Sequence, residues 1–318
     1  MFRVKGWRMM YSSPKISVIL PSFNGERWLS ASIQSVLMQS EVDWELIVVD
    51  DCSSDGTYEI ARDFCDKDSR VRVIRNSSNK KLPRSLNVGF SQAKGRYLTW
   101  TSDDNLFKPD ALKQMGNYLD GNPEVDMVAF NMDVINDEGE FLYEWTSFWP
   151  QRSVIDLSYG SNVGAAFMYS RRVLSKIGEY NEEMFCAEDY EYWVRLALNG
   201  TVRYVDEINI YQYRVHSQTL TNQKRDIIFS KTAEIQEKYF GKFIAAFNLN
   251  VFESSKIIHN SHINGWRVDY SVYWIFLIIF EVWEHILLFF AFLVSPEDKS
   301  YRRNLRRMAS NWIRPKAR

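Results

Sequence analysis

Cysteine is scarce in this sequence: Cys52, Cys65 and Cys186 are odd in number and show no CxxC spacing. That argues against a disulfide framework and against a cysteine zinc site, and a reducing, cytoplasmic setting is expected. An excess of charge of one sign is missing too. Lys and Arg total 39 against 40 Asp and Glu, a net charge of −1, so nothing in the balance suggests the concentrated basic face that nucleic acid demands. No nucleic-acid partner is expected. Neither a GxGxxG nor a GxxxxGK[ST] loop occurs, which removes the glycine-rich dinucleotide and Walker solutions to phosphate binding. Residues 1–14 are basic and aromatic but lack the continuous apolar run of a secretory signal, and read as a short surface extension.

What is present is alternation. Ile16-Ser17-Val18-Ile19-Leu20 is an aliphatic, β-branched strand pattern bounded by Pro21, and Leu29, Ile33, Val36 and Leu37 then recur at helical spacing. Glu45 to Val49 is a second strand, ending in Asp50-Asp51 and a turn at Ser53-Ser54-Asp55-Gly56. Val71 to Ile74, a helix over Ser85 to Ala93, and Tyr97 to Trp100 continue the series. Strands alternating with helices predict an α/β fold around a mostly parallel sheet, whose ligands bind beyond the carboxyl ends of the strands. Asn24, Asp50-Asp51 and Asp103-Asp104 all fall at such ends. Any one cluster serves equally well as a helix cap or turn. Three on one rim point to a ligand, and carboxylates beside a diphosphate imply a bridging divalent cation, Mn2+ or Mg2+.

The ordered stretches Pro21-Ser22-Phe23-Asn24, Val48-Val49-Asp50-Asp51-Cys52-Ser53-Ser54-Asp55-Gly56-Thr57 and Ser102-Asp103-Asp104-Asn105 resemble the signatures of family 2 glycosyltransferases with the GT-A fold. The resemblance runs from about Lys15 to Thr219. It implies a Rossmann-like nucleotide-binding half (residues 15–110) and an acceptor half (111–222). It also implies a nucleotide-sugar site formed by Pro21, Phe23, Asn24, Asp50, Asp51, Lys81 and Asp103. Asp50 or Asp51 would contact the base, Asp103 the ribose and Asp104 the metal. Ser102 stands where the commoner DxD motif has its first Asp, and the Ser-Asp-Asp-Asn form is similar to the spore-coat polysaccharide glycosyltransferase subset. Metal binding therefore falls mainly on Asp104.

Further along, Val163 to Tyr169 looks like the family's small-residue strand lining the acceptor cleft, although an ordinary buried strand reads the same way. Cys186-Ala187-Glu188-Asp189 resembles its Glu-Asp motif at a helix start, with Asp189 the catalytic base beside Glu188. Tyr211-Gln212-Tyr213-Arg214-Val215-His216 is similar to its Tyr-Arg-x-His element, which makes His216 a second candidate metal ligand. One base suffices if an acceptor hydroxyl attacks the anomeric carbon directly while metal stabilises the leaving diphosphate, and that displacement inverts the centre. The expected donor is a UDP-sugar, and the expected acceptor a glycan or lipid-linked hydroxyl in surface polysaccharide synthesis.

The last third (223–318) changes character. Ser271 to Val294 is apolar and long enough to span about 30 Å, yet Glu281, Glu284 and His285 fall near its middle, where each acid costs on the order of 3 kcal/mol to insert. Eight basic and no acidic residues follow in Lys299 to Arg318. A helical region whose apolar helix (271–294) lies in the interface, with its basic tail (299–318) on anionic lipid, reconciles both, and peripheral attachment to a cytosolic membrane face is expected. A buried helix or an oligomer contact is the alternative. Two other activities stay open on sequence: a nucleotidyltransferase, which would need no Glu188-Asp189 element, and a catalytically silent subunit of a polysaccharide machine, given Ser102.

Overall fold

Ile16–Ser22 (β1), Trp44–Asp50 (β2), Val71–Arg75 (β3) and Tyr97–Trp100 (β4) pair in parallel in the order β3-β2-β1-β4. Every residue of β1 and β2 is buried, as expected where helices cover both faces of a parallel sheet. The computed structural model describes residues 13–146, 157, 161 and 163–260. Helices Leu29–Leu37 (α1) and Thr57–Lys67 (α2) and helix Leu82–Gln92 (α3) are the crossovers between these strands. β1 runs one residue past Pro21, because β4, the neighbour on that side, stops pairing at Trp100 opposite Ile19 and a missing N–H costs nothing there.

The remaining strands turn the parallel half into a mixed nine-stranded sheet. They are Leu106–Phe107 (β5), Met127–Ile135 (β6), Phe141–Trp145 (β7), Phe167–Ser170 (β8) and Val202–Arg214 (β9). Among the described residues the order is β3-β2-β1-β4-β8-β6-β9-β5, with β7 on β6. β8 is antiparallel to both β4 and β6, whereas β9 runs parallel to β6. Ala111–Gly121 (α4) joins α1 on one face, where Leu29, Ile33, Val36, Leu112 and Met115 pack. Arg172–Ile177 (α5) and Glu188–Asn199 (α6) join α3 on the other, around Leu86, Phe90, Tyr192 and Trp193.

Leu220–Gln223 (α7) and Arg225–Asn260 (α8) follow β9. Tyr239 of α8 donates to the buried Glu191 of α6 at 2.8 Å, and Arg195 reaches the same carboxylate at 2.7 Å. The chain divides into units Met1–Ala246 and Phe247–Arg318. Among the described residues no helix is long and apolar enough to cross a membrane. Most of the extension at 1–14, the apolar segment 271–294 and the basic tail 299–318 lie outside the described residues.

Candidate active site

The loops after β1 and β2 are zipped together by hydrogen bonds that the sequence places about 30 residues apart. Asn24 N–H donates to Ser53 Oγ at 2.9 Å, and its Oδ1 accepts from Ser54 N–H at 2.9 Å. Gly25 N–H donates to Thr57 Oγ1 at 2.8 Å, and Gly56 N–H to the Glu26 carboxylate at 2.7 Å. Asn24 and Cys52 sit at positive φ, 55° and 65°, where the rim bends sharply, and Asn tolerates that region better than most residues. Phe23, exposed, and Pro21, buried, flank this rim.

Asp50 and Asp51 separate in role. The buried Asp50 is ion-paired with Arg75 Nε at 3.1 Å and accepts from Ser53 N–H at 3.2 Å. The Asp51 carboxylate accepts from Asn76 Nδ2 at 2.8 Å, Lys80 N–H at 2.7 Å and Lys81 N–H at 2.9 Å. It thereby holds Lys81 at φ 69° and sets the start of α3. Lys81 itself is exposed, with Nζ 5.7 Å from the Phe185 ring in the acceptor half.

β4 delivers the next pair. Asp103 accepts from the Ser22 hydroxyl, and burial, followed by the neighbouring Asp104 carboxylate, pushes its pKa up to about 7. Asp104 Oδ2 faces His216 Nε2 at 3.0 Å, and Asp104 Oδ1 is buried without a hydrogen-bond partner. His216 Nδ1 accepts from Gln218 N–H at 3.2 Å, and the Trp28 ring stands 4.1 Å away. Arg214 binds the Asp104 carbonyl at 2.9 Å and the carbonyls of Asn136 and Asp137 at 3.0 Å, tying the β6–β7 turn to this corner. The structure therefore brings together residues 104 and 216, the two candidate metal ligands that the resemblance implies. Trp28 was not legible, since no local pattern brings a residue of the β1–α1 loop to one after β9. Among the described residues no three His, Cys, Asp or Glu side chains gather as a metal cluster.

Glu188 and Asp189 open α6. Glu188 is buried, and its Oε2 has no partner. Burial and then the Asp189 charge push its pKa up to about 8, and burial raises Asp189 as well. Asp189 keeps partial exposure and accepts from Tyr190 N–H at 2.6 Å. The segment leading to the pair is clamped on α3. Asn87 Nδ2 donates to the Tyr180 carbonyl at 2.9 Å, and Tyr180 N–H donates to Asn87 Oδ1 at 2.9 Å. Tyr180 Oη accepts from Trp100 Nε1 at 3.1 Å, and its ring stacks on Tyr192 at 4.1 Å. Asn87 also went unread. An Asn inside an apolar helix face was its one signal, and only the fold shows the backbone it serves.

The model of the family described as "Glycosyl transferase family 2" matches residues 17–178, half of the chain. The chain belongs to that family. It is 40% identical over 131 residues to EpsE of Bacillus subtilis (strain 168), named as a glycosyltransferase; the match covers 41% of this chain and 47% of EpsE. It is 35% identical over 106 residues to TuaG of the same organism, named for teichuronic acid biosynthesis, covering 33% and 42%. The chain thus spans about half the length of these relatives or less. In structure it resembles S. aureus TarS 1–349, with a TM-score of 0.56, 21% identity, and coverage of 70% of this chain and 64% of that one. The same protein solved with UDP gives a TM-score of 0.55 at 20% identity, covering 73% and 72%. This likeness bears out the α/β GT-A fold.

Proposed function

We propose that this glycosyltransferase moves a sugar from a UDP-sugar to a hydroxyl of a glycan or lipid-linked acceptor, with inversion, using Mn2+ or Mg2+ held at Asp104 and His216. The observation that carries the reading is the buried Asp104 Oδ1 without a partner, beside His216 Nε2. Two protein donors suit a hard cation that takes its other oxygens from a diphosphate and water. Such an ion would neutralise charge developing on the departing diphosphate. TarS has been solved with UDP and with UDP-GlcNAc, which supports the choice of nucleotide.

The chain's own groups divide the remaining work. Ser22 and Gly25 fix Asp103 at the rim, where the resemblance puts the ribose. Asp189 accepts the proton of the attacking hydroxyl. Glu188, protonated near neutral pH, keeps a second negative charge away from that base, since two adjacent buried carboxyls do not both ionise readily. One base fits a single displacement, and the sequence offers no clear candidate for the second carboxylate that a double displacement would need as nucleophile. Attachment of residues 271–318 to a cytosolic membrane face belongs to the same reading, supported by the apolar segment and basic tail of the sequence.

A screen of UDP-sugars for thermal stabilisation with Mn2+ tests the donor. A ligand at 100 times its Kd stabilises by about 2.7 kcal/mol. Turnover of the donor that binds should release UDP and transferred or free sugar. Pyrophosphate as the product, or no UDP-sugar that stabilises, overturns the reading.

A further inference from the structure

Strand β6 lies between β7 and β9, and its register aligns aromatic residues of β7 with aromatic residues of β9. Val134 pairs with Tyr143 on one side and Tyr213 on the other, and Met132 pairs with Trp145 and Tyr211. Directly paired residues project from the same face of a sheet, and residues two apart share that face. Tyr143, Trp145, Tyr211 and Tyr213 therefore form two rows about 10 Å across, given strands about 4.8 Å apart.

The inner end of this strip lies against the loop that carries Asp103 and Asp104. Tyr211 Oη lies 2.7 Å from Thr101 Oγ1, three residues before Asp104. Burial raises the pKa of the Tyr213 phenol, its hydrogen bond with Thr221 Oγ1 at 3.5 Å opposes this, and Asp104, Asp189 and the Tyr143 phenol add smaller upward contributions. The outer end is open: Tyr143 is 54% exposed, against 0% for Tyr211. Trp145 lies over Gly164, where a Cβ would come within 2.7 Å of its ring. Gly164 also holds φ +74°, so the ring's seat and the backbone both select glycine.

Resting on the glycosyltransferase reading above, we propose that Tyr143, Trp145 and Tyr213 form an acceptor subsite. It stacks a pyranose ring one or two sugar units outward from the hydroxyl that Asp189 deprotonates. The chemistry favours a saccharide over a lipid tail. A pyranose offers a C–H face to an aromatic ring while its hydroxyls need partners, and tyrosine supplies both a ring and a phenol. A strip of rings that begins beside Thr101, on the loop that carries Asp103 and Asp104, and leads to solvent suits an acceptor that must place one hydroxyl and lead the rest of its chain away.

Saturation-transfer NMR on the full chain tests this, with methyl glycosides and disaccharides of glucose, galactose, mannose and N-acetylglucosamine, run with and without UDP. At least one disaccharide should receive saturation, and Tyr143→Ala should weaken its binding about tenfold. Tyr143→Phe should keep most of it, and the thermal midpoint should not move, because Tyr143 is exposed. Binding of no saccharide, or Tyr143→Ala binding as wild type, overturns the proposal. So does a Tyr143→Ala variant that loses affinity for phosphatidylglycerol vesicles and not for sugar. Failure of UDP to bind the wild type would strike the donor reading instead, and the sugar measurements made without UDP would still decide the subsite.

Discussion

Replacing Gly25 by Ala places a methyl group where the structure has no room. A Cβ at residue 25 would stand 2.1 Å from Asp103 Oδ2 and 2.6 Å from Ser22 Oγ, against an ordinary contact of 3.4 Å or more. Relief needs Asp103 to retreat by about 1.3 Å, which breaks its hydrogen bond with Ser22. Backbone strain is not the cause, since Gly25 is not among the positive-φ residues. Overpacking of this kind costs about 1–3 kcal/mol, and a misplacement near 1 Å lowers turnover by about 10²-fold. Thermal unfolding, UDP titration and release of UDP from the donor identified by screening measure the three effects. Gly121→Ala is the control, because nothing lies within 4 Å of its Cβ position. Wild-type UDP affinity and turnover in Gly25→Ala would refute the claim that this glycine holds Asp103 at the donor.

Asp189→Asn should keep donor affinity and lower turnover by about 10²-fold or more, the usual loss when a general base is removed; weakened donor binding at normal turnover would contradict the assignment. The Glu188 carboxyl is raised in the folded chain, so it favours folding while protonated, and that contribution is lost as pH climbs from about 5 through about 8. Melting temperatures of wild type and Glu188→Gln should therefore diverge in the variant's favour across that window, and parallel curves would count against it. Asn87→Leu leaves the Tyr180 N–H and carbonyl unpaired, at about 1–3 kcal/mol each. Its turnover should fall while UDP affinity holds, and a loss confined to UDP affinity would show that α3 does not position the base.

Much of this site could be read along the chain because each cluster sits where a strand pattern ends. The runs ending at Leu20, Val49 and Trp100 placed Asn24, Asp50-Asp51 and Asp103-Asp104 on one rim, and the parallel register of β1, β2 and β4 puts them there. His216 meets Asp104 across 112 residues, which the motif resemblance implied and periodicity did not. What stayed hidden depends on third parties. The Asp51 carboxylate is taken up by N–H groups of residues 80 and 81, an arrangement set by backbone direction. Asn87 serves the backbone of Tyr180, and Trp28 meets His216 only because the β1–α1 loop folds over the end of β9. The antiparallel placement of β8 was equally out of reach, since a short buried strand reads the same in either direction.

Titrating UDP into the wild type and into Asp104→Ala, each with and without Mn2+, tests the central claim most directly. Mn2+ should strengthen UDP binding to the wild type and have no effect on the variant, with melting temperatures of the free proteins unchanged. Equal Mn2+ dependence in both proteins would contradict it.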